Sequence, residues 1–290
     1  MSRASRLVAW AAFAFAFALA ACQSEGPQPA AGELSFLTYN VHGLPPEITG
    51  DDTAARMHDI GPLLSDFDVV GLQEDFDDLN HATLAEASGH PTQRRFADLF
   101  AEERVYGSGL ALFAYPIELD FLHEHFTDCN GYLDASSDCL ASKGFQAVRL
   151  ELAPGASVDV YNSHLEAGGG EDDDAARREH VSQLIAAMNG WSASRSVVFL
   201  GDTNLHASDP EDLPELERWV DDAGLADACE ATGCPEADHI DRIFFRPGGG
   251  VDWVAETWTN EPAFFGAEGV ALSDHPALSA VLSWTYTPSD

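Results

Sequence analysis

Eight short runs of β-branched and aromatic residues punctuate the chain, and most of them close on, or lie beside, a polar residue of catalytic type. The runs are 34–41, 68–74, 109–117, 144–152, 157–165, 196–204, 239–246 and 277–286. Several alternate apolar with polar, as strands with one buried face do. Others are apolar throughout, as central strands are. Asn40 closes the first, Glu74 the second, His164 the fifth, and Asp202 with Asn204 the sixth; Asp274 and His275 stand just before the last. A carboxylate at the end of a run such as VVFLG is costly to bury alone, and several converging would repel one another. A divalent cation relieves both problems. The arrangement therefore points to a rigid sheet presenting a metal-centred polar site at its strand ends.

Helical patterns fall between the strands. Residues 53–66 carry a near-3.6 periodicity interrupted at Gly61-Pro62. Residues 172–190 begin with acids, carry Val181, Leu184, Ile185 and Met188 as a stripe, and stop at Gly190; residues 211–223 make a third helix. Mixed strands and helices in this number require an α/β or α+β sandwich. No linker or repeat follows residue 34, so residues 34–287 read as one catalytic domain.

The N-terminus reads as an export signal. Arg3 and Arg6 precede an apolar run over 7–21, too short to span a bilayer, which needs roughly 20 residues. It ends in Leu-Ala-Ala-Cys22, which resembles a bacterial lipoprotein box. That resemblance implies a signal peptide over 1–21, lipidation of Cys22, and a membrane-anchored mature chain. Gln23 rather than Asp after the cysteine favours the outer membrane. Residues 22–33, rich in Pro, Gly and Ala, read as the lipidated cysteine and its flexible tether. Four further cysteines in an exported chain suggest disulfides, and of the three pairings the local one, Cys129–Cys139 with Cys229–Cys234, closes the shortest loops.

Charge narrows the substrate. Asp and Glu number 49 against 14 Lys and Arg, a formal net charge of −35, and Lys143 is the single lysine. Such a surface repels polyanions, so binding to nucleic acid is disfavoured, although a metal can neutralise a phosphate locally.

The series TYNVHGLP (38–45), VVGLQED (69–75), GLALFAYPI (109–117), NSHLEAG (162–168), FLGDTNL (199–205), IDRIFF (240–245) and LSDHPAL (272–278) resembles the endonuclease/exonuclease/phosphatase superfamily. The resemblance runs in family order from about residue 34 to 282. It implies a four-layer α/β sandwich with two packed central β-sheets flanked by helices, and metal-dependent hydrolysis of a phosphate ester. By matching motifs, Glu74 is the principal Mg²⁺ ligand (Mn²⁺ being the alternative ion), with Asn40 and Asp274 as metal-site partners. Asp202 orients or deprotonates the attacking water. Asn204, two residues on, points the same way from an extended strand and holds a phosphate oxygen. His275 is the acid–base or charge-stabilising group, oriented by Asp241. His164 stabilises phosphoryl charge, with Asn162 beside it on the same face as a phosphate ligand. Of the remaining histidines, His42 is the one placed to matter. The chain has no GxSxG elbow and no P-loop.

Within that superfamily the motifs resemble most closely the neutral sphingomyelinase branch, which implies a phospholipase C-like phosphodiesterase acting on a phospholipid and working as a monomer. An extracellular deoxyribonuclease-like nuclease is the alternative. A non-catalytic binding lipoprotein would require loss of a motif residue, and every position is filled. The aromatic stretch 251–265 suits either a membrane-dipping loop or ordinary core. One departure stands out: Arg242 follows Asp241 where the family often has Tyr.

Overall fold

The computed structural model describes residues 27–288 apart from 133–134, 236–237 and 267–268. The expected signal peptide and the expected lipidation site Cys22 lie outside the described residues.

Twelve strands form two six-stranded sheets: β1 Ala30–Asn40, β2 Val69–Gln73, β3 Thr92–Phe96, β4 Leu110–Ala114, β5 Glu118–His125, β6 Gly144–Ala153, β7 Ala156–His164, β8 Ser196–Asp202, β9 Ala226–Asp227, β10 Asp241–Arg246, β11 Val251–Asn260 and β12 Leu278–Tyr286. The first sheet has the order β11-β12-β1-β2-β4-β3 and the second β5-β6-β7-β8-β10-β9. Each has one parallel pair at its centre, β1 with β2 and β7 with β8, and antiparallel neighbours outside it. The ends of the central strands and the starts of their antiparallel neighbours therefore lie along one rim.

Three apolar layers hold the sandwich. Between the sheets pack Phe36, Val69, Leu112, Val160, Leu200 and Ile243, all inaccessible to solvent. The approach is close at Gly71, where a Cβ would come within 2.9 Å of Leu200 Cβ. Helices α4 (Glu171–Gly190) and α5 (Leu213–Ala223) cover the outer face of the second sheet through Val181, Leu184, Met188 and Trp219. Helices α2 (Thr53–Ile60) and α3 (Asp78–Ser88) cover the first through Met57, Ile60 and Leu84. A short α1 spans Pro46–Thr49 and a short α6 spans Ala228–Thr232. This is the four-layer α/β sandwich expected from the sequence.

Several boundaries differ from those expectations. Residues 30–33 are not tether: they pair with Ser283–Tyr286 as the first residues of β1. The periodic segment 53–66 breaks where Gly61-Pro62 interrupts it, α-helix before and a 3₁₀ turn over Gly61–Asp66 after. Helix α3 escapes the periodic pattern because its only buried residues are Asn80, Leu84 and Ser88; Asp77 caps it through the Leu79 and Asn80 amides, and Gly89 ends it in the left-handed region. Strands β3 and β5 carry polar, mostly half-exposed residues, so they lack an apolar run to betray them. The aromatic stretch 251–265 divides: Trp253 packs edge-on against Phe36 within β11 and Phe264 against Tyr39, Trp258 packs partly buried against the core, and Phe265 is exposed. Both disulfides take the local pairing, Cys129–Cys139 and Cys229–Cys234, with Cα atoms 5.4 and 5.0 Å apart. No helix among the described residues is long and apolar enough to cross a membrane.

Candidate active site

Register builds the centre of the site. Asp202 ends β8 directly opposite His164, the last residue of β7, and directly opposite Asp241, the first residue of β10. Facing residues on adjacent strands project to the same side. From the first sheet, β1 ends at Asn40 beside Gln73, the last residue of β2, which places Glu74 next. The loop entering β12 carries Ser273, Asp274 and His275, and Ser273 Oγ donates to the Asn40 carbonyl at 2.7 Å.

Asp202 Oδ2 is the meeting point. Asn40 Nδ2 donates to it at 3.1 Å, His164 Nε2 lies 3.4 Å away and His275 Nε2 3.7 Å away. Asn40 Nδ2 also donates to Glu74 Oε1 at 3.0 Å. One amide thus spaces two acids that would otherwise repel, and links the two sheets. Its Oδ1 accepts the His42 amide at 3.0 Å. His42 Nδ1 stands between Glu74 Oε2 at 3.6 Å and Asp274 Oδ2 at 3.4 Å.

Electrostatics separate the roles available to these groups. Burial raises the Asp202 carboxyl, the neighbouring Asp241 charge raises it further, and His275 holds it back. Burial alone would lower His275, but the Asp241 bond and charge with the Asp202 charge outweigh it and lift the ring to about 10. Burial and the Lys143 charge push His164 well below the ordinary histidine value, so its ring is neutral. Burial would raise Glu74; the bond to the His42 ring, the Asn40 bond and the Lys143 charge overcome it and hold the carboxyl at about 2. The site therefore offers a permanently ionised acid, a proton-hungry acid and a cationic imidazole within a few ångströms.

Backbone strain is concentrated here. Among the described residues four non-glycines have a left-handed backbone, and three of them are His42, Glu74 and Asn204. For glutamate this conformation costs of order 1 kcal/mol, sustained where the surroundings over-determine it. Gly43 follows His42 because a Cβ there would stand 2.4 Å from the Glu74 carbonyl.

Two expectations need correction. Asn162 is not positioned to bind phosphate. It is fully buried between the sheets, where Nδ2 donates to the Leu72 and Ala111 carbonyls and Oδ1 accepts from Gln73. Asn204 is not an extended-strand neighbour of Asp202: β8 ends at Asp202, Asn204 turns into the left-handed region, its amide donates to Asp202 Oδ1 and its Nδ2 to the Leu165 carbonyl. It remains beside the site as a turn residue.

Two participants went unnoticed in the sequence. Lys143 Nζ, buried, lies 3.4 Å from His164 Nε2, donates to the Leu165 carbonyl and pairs with Asp138 at 2.8 Å. Arg56 donates to the carbonyls of Val41, His42 and Leu272, tying the loop that carries His42 to the loop that carries Asp274. Their signal was scarcity, since a cation kept in so acidic a chain has a structural reason.

The donor set fits a hard divalent cation. Glu74 stays ionised, Asp274 faces it across the His42 ring, and a Mg²⁺ ion needs only one or two carboxylates because it keeps several waters. The carboxylates of Asp202 and Asp241 with His275 form a second convergent group.

A profile of the endonuclease/exonuclease/phosphatase family matches residues 37–275. A sphingomyelinase of Mycobacterium tuberculosis is 31% identical over 268 residues, which cover 85% of this chain and 52% of the relative. The chain thus spans about half the length of the curated relatives it matches. Among solved structures, sphingomyelinase C from Streptomyces griseocarneus superposes with a TM-score of 0.65 at 20% identity, covering 86% of this chain and 99% of that one. A beta toxin variant from Staphylococcus aureus with bound magnesium ions also gives 0.65, at 17% identity over 86% of this chain and 99% of that one.

Proposed function

The chain belongs to the endonuclease/exonuclease/phosphatase family, and on that premise we propose that it is a Mg²⁺-dependent phosphodiesterase that hydrolyses sphingomyelin or a related phospholipid. The observation that carries the reading is Asp202 flanked in register by His164 and Asp241, with the His275 cation over it and Glu74 tied to it through Asn40.

Glu74 and Asp274 would hold the cation, which when bound would neutralise charge on the phosphoryl group. Asp202, its carboxyl raised by burial and by Asp241, accepts the proton of the attacking water. The water oxygen bonds to phosphorus, and the bond from phosphorus to the leaving oxygen breaks. His275, kept cationic by Asp241, donates its Nε2 proton to that oxygen. His164, a neutral ring beside Lys143, orients a phosphoryl oxygen without adding a formal charge of its own. Every group acts from a fixed position, so positioning and electrostatics supply the rate enhancement.

The lipid branch rests on the mycobacterial sphingomyelinase likeness and on a net charge of −35, which suits a zwitterionic headgroup better than DNA. Export, with anchoring through Cys22, belongs to the same reading. The test is phosphocholine release from sphingomyelin vesicles by the full chain, with Mg²⁺ or EDTA, alongside Glu74→Ala, His275→Ala and duplex DNA. Metal-dependent release lost in both variants supports the proposal; metal-dependent nicking of DNA without lipid hydrolysis replaces it with a nuclease.

A further inference from the structure

A cavity of about 320 Å³ is built on the segment that directly follows Glu74 in the chain, walled by Phe76, Tyr106, Asp75, Asp77, Asp78 and Arg95. Three properties define what it can take. The first is aromatic: the Phe76 and Tyr106 rings lie 5.5 Å apart at a 48° tilt, forming a corner rather than a stack. That corner is built in. Gly109, at φ +71°, leaves the space that Phe76 fills, since a Cβ there would approach the ring to 2.6 Å.

The second property is charge. Three aspartates face one arginine, and the arginine is spent: Nη1 donates to Asp78 Oδ1 at 2.6 Å, and Nη2 donates to the Asp75 and Phe76 carbonyls. Asp75 is almost wholly buried. Its Oδ2 meets His81, and its Oδ1 is sealed from solvent with no hydrogen-bond partner. A buried carboxylate oxygen without a partner is costly unless a positive charge comes near.

The third property is an apolar rim. Leu99 and Val105 line the mouth and are each more than half exposed, with Phe100 exposed beside them. A metal ion is a poor fit: Asp77 Oδ1 caps helix α3 and Asp78 Oδ1 holds Arg95, so the acids do not converge, and aromatic walls offer no oxygen ligands. A primary ammonium needs several acceptors it can reach, whereas the unpaired Asp75 Oδ1 is sealed and Asp77 Oδ1 and Asp78 Oδ1 are engaged. A quaternary ammonium makes no hydrogen bonds, and it prefers aromatic faces with negative charge behind them.

We propose that this cavity is the headgroup pocket, binding the trimethylammonium group of a phosphocholine lipid while the apolar rim meets the bilayer surface. It rests on the phosphodiesterase reading above, since an ethylene spacer joins that ammonium to the phosphate held at the neighbouring Glu74. Asp75 directly follows Glu74, and its amide is fixed on the Gly109 carbonyl at 2.8 Å.

The test compares sphingomyelin with ceramide phosphoethanolamine in mixed micelles, using the full chain with Mg²⁺, and titrates tetramethylammonium by calorimetry. Phe76→Leu and Tyr106→Leu each lower the preference for sphingomyelin roughly tenfold, through KM, and weaken tetramethylammonium binding to a similar degree. Tyr106→Phe, which keeps the ring, retains both. Tetramethylammonium binding that ignores these substitutions overturns the pocket. Binding that follows them while lipid preference stays fixed overturns its assignment to the headgroup. A chain that cleaves neither lipid yet binds tetramethylammonium through Phe76 and Tyr106 supports the pocket and sinks the sphingomyelin reading alone.

Discussion

His275 Nδ1 donates to Asp241 Oδ2 across 2.9 Å, and this contact joins the loop before β12, in one sheet, to the first residue of β10, in the other. It also holds the imidazole cationic well above neutral pH.

Asp241→Asn therefore shifts the pH dependence of hydrolysis. The Asp241 bond and charge raise His275, so their loss lowers the ring toward its ordinary value, and the cation disappears at a lower pH. The Asp241 charge also raises Asp202, so its carboxyl ionises earlier as well. Both limbs of the kcat/KM profile move to lower pH, the alkaline limb from near 10 toward neutrality. An alkaline limb that stays in place removes His275 from the protonated role.

Removing Glu74 separates metal binding from folding. On the proposed reading Mg²⁺ is expected to stabilise the wild-type chain by mass action, by about 2.7 kcal/mol when the ion stands at 100-fold its dissociation constant, and so to raise its thermal midpoint. Glu74→Gln keeps the fold and loses that response. A variant whose midpoint still climbs with Mg²⁺ places the ion elsewhere.

Asn162 is predicted to govern stability. Asn162→Leu strips partners from Gln73 Nε2 and from the Leu72 and Ala111 carbonyls in a fully buried layer. The expected cost is on the order of 3 kcal/mol, read from chemical denaturation. Loss of activity at unchanged stability contradicts the structural role assigned to it.

Glu166 gives the folded state a pH slope. Burial and the Asp138 charge lift its carboxyl to about 7, against the opposing pull of Lys143 and the Asn130 amide. Between the ordinary glutamate value and 7 the folded chain holds a proton that the unfolded chain has lost. Stability attributable to this group is complete below that window and falls as pH rises through it, by at most about 3 kcal/mol. Glu166→Gln flattens the slope between pH 5 and 7 in denaturation curves; an unchanged slope assigns it to other groups.

The architecture was legible because apolar strands with polar termini mark both sheet and rim. Glu74, His164, Asp202, Asp241 and His275 follow from their places in the motifs, and the structure brings them together. Periodicity says less where a side chain serves two sheets: Asn162 shares a face with His164, yet that face turns inward two residues earlier, against Gly71. Nor does spacing reveal a left-handed turn in a non-glycine, which is why Asn204 looked extended. Lys143 acts on His164 across 21 positions, a relationship only the fold creates.

The first sheet is assembled from both ends of the chain, β1 to β4 from the beginning and β11 with β12 from the end, while the second comes from the middle. During synthesis, β1 and β2 emerge early but wait for β12 to cover the open edge of β1 and deliver His275. The site is thus incomplete until residues 275–286 have emerged, however much of the second sheet has already formed. A polypeptide stalled short of residue 275 is expected to leave an open strand edge and an incomplete site, which would make turnover a reporter that synthesis and folding have passed β12.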